Sequence, residues 1–153
     1  MKEHRLEKLE KLLKFLRFLK SVFQKKYFMT FRFARHTNDL EKIKSFYTSV
    51  LGLELLGGFE NHNGYDGVFI GKQEENWHLE FTKSDEVVDF NFGEEDILVF
   101  YPNSKLEFEL IHEKLVTHSI AFIDAKNRYW NANGKMFLDP DGYRIVISHL
   151  KIK

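Results

Sequence analysis

His78 and Glu80, two positions apart in the run Trp77-His78-Leu79-Glu80-Phe81-Thr82, are the pair in this chain best suited to chemistry. Alternate side chains of an extended strand share a face, so this spacing sets an imidazole beside a carboxylate. Such a pair can give and take protons, and Glu80, His78 and Asp96 together form the candidate acid/base group. Joined by His36 and Asp96, the pair also makes a conceivable cation site, since imidazole and carboxylate suit divalent transition metals. A lone His-x-Glu equally marks two hydrogen-bonded polar residues, and both readings stay open. Other chemistries find no support. The chain contains no cysteine, which removes disulfides, thiolate zinc sites and cysteine nucleophiles. No serine sits in a nucleophile-elbow sequence, and Gly57-Gly58 lacks the partners of a phosphate-binding loop.

The elements that must position these residues alternate in period. Phe31 and Phe33 point one way and Arg32 and Ala34 the other, which predicts a strand. Asn38 and Asp39, followed by Glu41, announce a helix with Leu40, Ile43, Phe46/Tyr47 and Val50 on one face, ended by Gly52. Three strands are predicted at Leu53–Phe59, Tyr65–Ile70 and Trp77–Thr82, the first two joined by the tight-turn pair Asn63-Gly64. The acidic stretch 84–95 reads as a linker. Then the order repeats. A strand at Ile97–Tyr101 precedes a helix opened by Ser104, with Phe108, Ile111 and Leu115 on one face. Strands at His118–Ile123, Lys135–Leu138 and Tyr143–His149 complete the set, with turns at Asn133-Gly134 and Asp139-Pro140-Asp141-Gly142. The expected fold class is therefore α+β: two βαβββ modules forming a curved, largely antiparallel sheet around one pocket.

Residues 1–28 stand apart as a basic amphipathic appendage to a main domain at 29–153. Leu6, Leu9, Leu12/Leu13, Leu16, Leu19 and Phe23 recur at helical spacing over residues 3–26. The segment carries nine Lys/Arg against three Glu, whereas the remainder carries fourteen basic against twenty acidic residues. An acidic domain repels phosphate, so no nucleic-acid partner is expected for it. Three readings of the helix remain: packing on the domain or a second subunit, which is favoured, weak contact with a membrane surface, or translated sequence upstream of a start at Met29. No apolar run is long enough for a membrane span, and the expected location is cytoplasmic.

Three segments carry a resemblance: Phe31–Leu56 (FRFARHTNDLEKIKSFYTSVLGLELL), Trp77–Thr82 and Phe137–Ile147 (FLDPDGYRIVI). Their order and spacing resemble the vicinal oxygen chelate superfamily, which includes glyoxalase I, bleomycin-resistance proteins and extradiol dioxygenases. The resemblance covers essentially all of residues 30–150. It implies the two-module fold, a frequent homodimer, and in metal-dependent relatives four ligands on the first, fourth, fifth and eighth strands. Carried onto this chain, those places fall at Arg32, Glu80, Asp96 and Val146, with equivalents in the two halves 64 and 66 residues apart. Arginine has no acceptor and valine no donor atom, so no metal and no other cofactor is expected. Arg32 is instead expected between Glu80 and Asp96, its guanidinium standing where relatives hold a cation, or simply neutralising its neighbours.

The expected ligand-binding residues are Arg32, His36, Tyr65, His78, Glu80, Asp96, Tyr129, Trp130 and Arg144. Tyr65, Phe69, Phe100, Tyr129, Trp130 and Phe137 would supply an aromatic wall, and the run Asn127–Trp130 resembles a pocket-edge segment of small metal-less relatives. The functional expectation is a metal-free binder of a small organic molecule, in the manner of bleomycin-resistance proteins. The alternative is a lyase/isomerase or dioxygenase-type enzyme with a non-standard metal site.

Overall fold

The computed structural model describes residues 2–23 and 29–151. Two compact units divide the chain, Met1–Thr30 and Phe31–Lys153. In the first, α1 spans Lys2–Phe23; the expected helix end at residues 24–26 lies outside the described residues. Leu9, Leu12 and Leu16 of its apolar stripe are exposed, and Lys11 pairs with Glu7 one turn earlier at 3.3 Å. Among the described residues no helix is long and apolar enough to cross a membrane.

The second unit holds two four-stranded sheets. The first contains β1 (Phe31–His36), β2 (Glu54–His62), β3 (Tyr65–Gly71) and β4 (Trp77–Lys83) in the order β1-β4-β3-β2. The second repeats the plan with β5 (Ile97–Phe100), β6 (Phe122–Ile123), β7 (Gly134–Leu138) and β8 (Arg144–Ser148) in the order β5-β8-β7-β6. In each sheet the opening strand runs parallel to the last and the other pairs are antiparallel. This is the expected pair of βαβββ modules.

Local chemistry explains the element ends. Asp39 accepts the Lys42 N–H at 3.0 Å and starts α2 (Leu40–Ser45). The helix widens into a π-helical turn at Phe46–Val50 before Gly52, at φ +71°, reverses the chain. Asn63 and Gly64 both take positive φ in the β2–β3 hairpin, as a tight turn of this kind requires. Ser104 accepts the Glu107 N–H at 3.1 Å and starts α3 (Lys105–Thr117).

Two boundaries differ from expectation. Only Phe122–Ile123 of the run from His118 joins the sheet, because Ser119 takes φ +56° and its N–H returns to the Val116 carbonyl. Residues ahead of Gly134 form a short helix, α4 (Arg128–Asn133), whose cap is Asn127 accepting the Tyr129 N–H at 3.0 Å.

One apolar core serves both modules. The π-helical turn bridges the sheets: Tyr47 meets Phe81 of β4 at 4.8 Å between ring centres, and Phe46 meets Phe137 of β7 at 6.3 Å. Leu79 and Phe81 from one sheet and Phe137, Ile145 and Ile147 from the other are buried in this cluster. Since side chains alternate along a strand, the other face of each sheet points away from it.

Candidate functional site

The outer face of the first sheet gathers Arg32, His78 and Glu80. Strand register sets Arg32 beside His78 and Ala34 beside Glu80, leaving the arginine free to reach across both. Arg32 Nε donates to His78 Nε2 at 2.9 Å, and Nη1 donates to Glu80 Oε2 at 2.7 Å. Its guanidinium also lies 5.0 Å from the Phe69 ring centre, and that ring meets His78 edge-on. To accept from arginine, His78 Nε2 must be unprotonated, so the imidazole proton sits on Nδ1. The arginine side chain is 50% exposed and the glutamate 12%, so the pair opens to solvent on one side.

Asp96 does not join it. Its Oδ2 accepts the Gly93 N–H at 3.0 Å and closes a local turn, so the expected bridge from Arg32 to two carboxylates is made to Glu80 alone among the described residues. The reason is a one-residue phase shift in β5. Leu98 and Phe100 face the shared core, whereas Ile97 and Val99 pack with Val146 and Met136 on the opposite face. The expectation of Asp96 beside Arg32 requires the opposite phase, with Ile97 and Val99 on the core side. Register confirms the shift: Ile97 pairs with Arg144 as Arg32 pairs with His78. The position equivalent to Arg32 is therefore Ile97.

The remaining expected residues are dispersed. His36 lies at the end of β1 with Nε2 buried and, among the described residues, without a hydrogen-bond partner. Tyr65 is exposed at the start of β3. Arg144 donates to the carbonyls of Phe92 and Gly93 at 3.4 and 3.2 Å. Tyr129 and Trp130 stack edge-on to one another on α4, and Trp130 covers the Val146 cluster. Of the expected aromatic wall, Phe69 touches Arg32, while Phe137 is fully buried core.

A second polar cluster escaped the sequence reading. Arg35, on the core side of β1, donates to Asp139 Oδ2 and, at 3.3 Å, to Asp141 Oδ2 in the turn between β7 and β8. Its guanidinium lies 5.2, 5.2 and 4.8 Å from the ring centres of Phe81, Phe92 and Tyr143. Tyr47 donates to Asp139 Oδ2 at 2.9 Å, and Thr37 to Asp141 Oδ1 at 3.0 Å. Burial, reinforced by the Asp139 charge, pushes the Tyr47 hydroxyl well above its usual range and keeps it a donor. Burial likewise raises the Asp141 carboxyl, against the opposing pull of Thr37 and Arg35. The available signal was an arginine on an otherwise apolar strand face, which demands a buried counter-charge.

Comparison with known proteins places this architecture. Residues 31–82 match the YycE-like N-terminal domain and residues 95–149 the YycE-like C-terminal domain. The uncharacterised protein YycE of Bacillus subtilis is 38% identical over 121 residues, covering 78% of this chain and 87% of YycE. The chain belongs to the YycE-like family. A crystal structure of Bacillus subtilis YycE, a protein of unknown function, superimposes with a TM-score of 0.69 at 36% identity, over 80% of this chain and 88% of that one. Leishmania major glyoxalase I gives a TM-score of 0.64 at 19% identity, covering 83% and 88%. The fosfomycin resistance protein FosX of Mesorhizobium loti gives 0.56 at 9%, covering 76% and 87%. These neighbours share the fold of this YycE-like chain.

The resemblance to the vicinal oxygen chelate superfamily implies a metal, and the donor set of this YycE-like chain does not fit one. Register assigns the four ligand places to Arg32, Glu80, Ile97 and Val146, of which Glu80 alone has an acceptor atom, and it is held by Arg32. Nor does the shifted group form: among the described residues, no three His, Asp or Glu side chains come together to hold an ion.

Proposed function

We propose that this YycE-like chain is a binding protein that captures a small organic molecule on the outer face of its first sheet, with Arg32 in place of a metal. The observation that carries the reading is the double donation of Arg32 to His78 and Glu80. A permanent cation occupies the spot, and the lone pair with which His78 would act as a base is already engaged. What stays available is recognition chemistry: the free edge of a half-exposed guanidinium, the His78 Nδ1–H and the Phe69 ring. A protein of the same fold, the antibiotic-binding protein TnmS3 of Streptomyces, supports a sequestering role by analogy of fold.

A homodimer is part of this proposal. The Arg32 face and the apolar face around Val146 both turn outward from the shared core, so a second copy laid over them would enclose the ligand. The composition suits a cytoplasmic location.

A thermal-shift screen of small organic compounds against the wild-type chain and Arg32→Ala tests the reading, with elemental analysis of the purified protein and light scattering. We expect one chemical class to raise the melting midpoint of the wild type and leave Arg32→Ala unmoved, in a dimer holding far less than one metal per chain. A stoichiometric transition metal that survives dialysis would refute it and favour the lyase or dioxygenase alternative.

A further inference from the structure

The described residues line a half-open cavity of about 390 Å³, and none of Arg32, His78 or Glu80 is among its walls. It lies on the core side of the sheets, where the two modules meet. Phe33 and Trp77 come from the first sheet, Leu98 and Phe100 from the second, and Ile111 from α3. Trp77 and Phe100 face each other across the module boundary at 6.1 Å and a 50° tilt. Such a volume falls in the range of small-molecule sites, and apolar walls from two modules are a common way to build one.

We propose that this cavity is a second binding site, separate from the Arg32 face, for an uncharged, ring-bearing, largely apolar small molecule.

The rim supplies the argument on charge. Lys72, beyond β3, and Glu107, on α3, pair across the boundary at 3.1 Å. The second oxygen of Glu107 accepts the Asn103 N–H at 2.7 Å, so both carboxylate oxygens are engaged. Burial alone would raise the Glu107 carboxyl, yet the Asn103 N–H and Lys72 outweigh it and hold it below its ordinary value. The lysine's charge is thus balanced by Glu107, so an anion at the rim meets no net positive charge from this pair. Glu75, at the mouth, is exposed and would repel one. A cation would find only that solvated, screened carboxylate. Transfer of apolar surface out of water is the dominant gain the cavity offers, and an uncharged ring system against Trp77 and Phe100 collects it without stranding a charge.

The test uses the full chain and two probes with the same ring body, neutral N-phenyl-1-naphthylamine and its anionic 8-sulfonate. Binding is followed by calorimetry and by probe emission. We expect the neutral probe to bind saturably at one per chain, at least about tenfold more tightly than the sulfonate. Leu98→Trp fills the cavity and should abolish binding. Should that variant fail to fold, Asn103→Trp obstructs the exposed rim and keeps the backbone N–H to Glu107, so it carries the same test. Arg32→Ala, which removes the other proposed site, should bind the probe as wild type does. Neutral-probe binding that is absent, that prefers the sulfonate, or that survives Asn103→Trp in a folded protein would overturn the proposal. Loss in Arg32→Ala alone would assign the probe to the outer face and overturn it equally.

Discussion

Arg35 and Asp139 come from different modules, and the guanidinium of one donates to the carboxylate of the other inside the shared core. Their side chains are 8% and 0% exposed. Asp139 is the better connected partner: it also accepts from the Tyr47 hydroxyl and from the backbone N–H groups of Asp141 and Tyr143 at 2.9–3.0 Å. Among the described residues, Arg35 Nε and Nη1 have no partner.

This asymmetry predicts unequal mutants. Asp139→Ala leaves the buried Arg35 with the longer Asp141 contact alone and strands three donors, and should cost roughly 3–5 kcal/mol. Arg35→Met keeps an apolar stem among Phe81, Phe92 and Tyr143 and leaves Asp139 three other donors, so it should cost less, about 1–3 kcal/mol. Urea denaturation of both variants checks the order, and a larger loss for Arg35→Met would contradict it.

The raised Asp141 carboxyl makes stability depend on pH. An acid whose folded value lies above its unfolded one binds its proton more readily when folded. Its contribution is therefore full below the ordinary Asp value of about 3.9 and is lost as pH rises through the folded value. Asp141→Asn cannot titrate, so its stability relative to wild type should climb over that window and then level off. Denaturation of both proteins from acid to neutral pH reads the slope, and a flat difference would remove the inference.

Arg32 occupies two acceptors, on His78 and Glu80, that could otherwise serve a cation, which makes it a residue to replace. Arg32→His would set a second imidazole beside His78 and Glu80, a donor set suited to nickel or zinc. Calorimetry with either ion should show about one site per chain, bound at least about tenfold more tightly than by wild type. Unchanged titration curves would mean that the strand geometry, not the arginine, is what excludes metal.

Gly134 opens β7 with extended backbone, so its φ is open to any residue. Space is the constraint: a Cβ there would stand 2.6 Å from the Ile147 carbonyl oxygen and 2.8 Å from Val146 Cγ1. Gly134→Ala should cost about 1–3 kcal/mol by forcing the strands apart. Gly52→Ala meets open space but keeps φ +71°, at about 1–2 kcal/mol. Thermal melts of the pair separate steric from torsional cost.

Much of this architecture was legible in residue order. Strand alternation put Arg32 on the same face as His78 and Glu80, and turn chemistry located Asn63-Gly64 and the Asp139–Gly142 corner. Legibility failed where local pattern is silent. Ile97-Leu98-Val99-Phe100 is apolar on both faces, so nothing in its composition tells which side meets the core. Only pairing with β8 decides that Ile97, not Asp96, answers to Arg32. The Asp139 corner reads as a turn from its own residues; that it also receives an arginine from 104 residues away is a tertiary fact. The seam cavity was missed for a related reason, since its walls are ordinary apolar residues and acquire meaning only when two modules leave a gap between them.

The Arg35 clamp bears on how the two halves came to be inseparable. If the chain were cut in the linker, the amino-terminal fragment would hold Arg35 beside Phe81 with the Tyr143 ring and both of its carboxylates left on the other piece. The carboxy-terminal fragment would expose a corner whose acids keep only the N–H groups of their own turn. Each piece carries what the other lacks, so the repeated plan is symmetrical in outline while its stability is not, and this half cannot stand in for a doubled copy of itself.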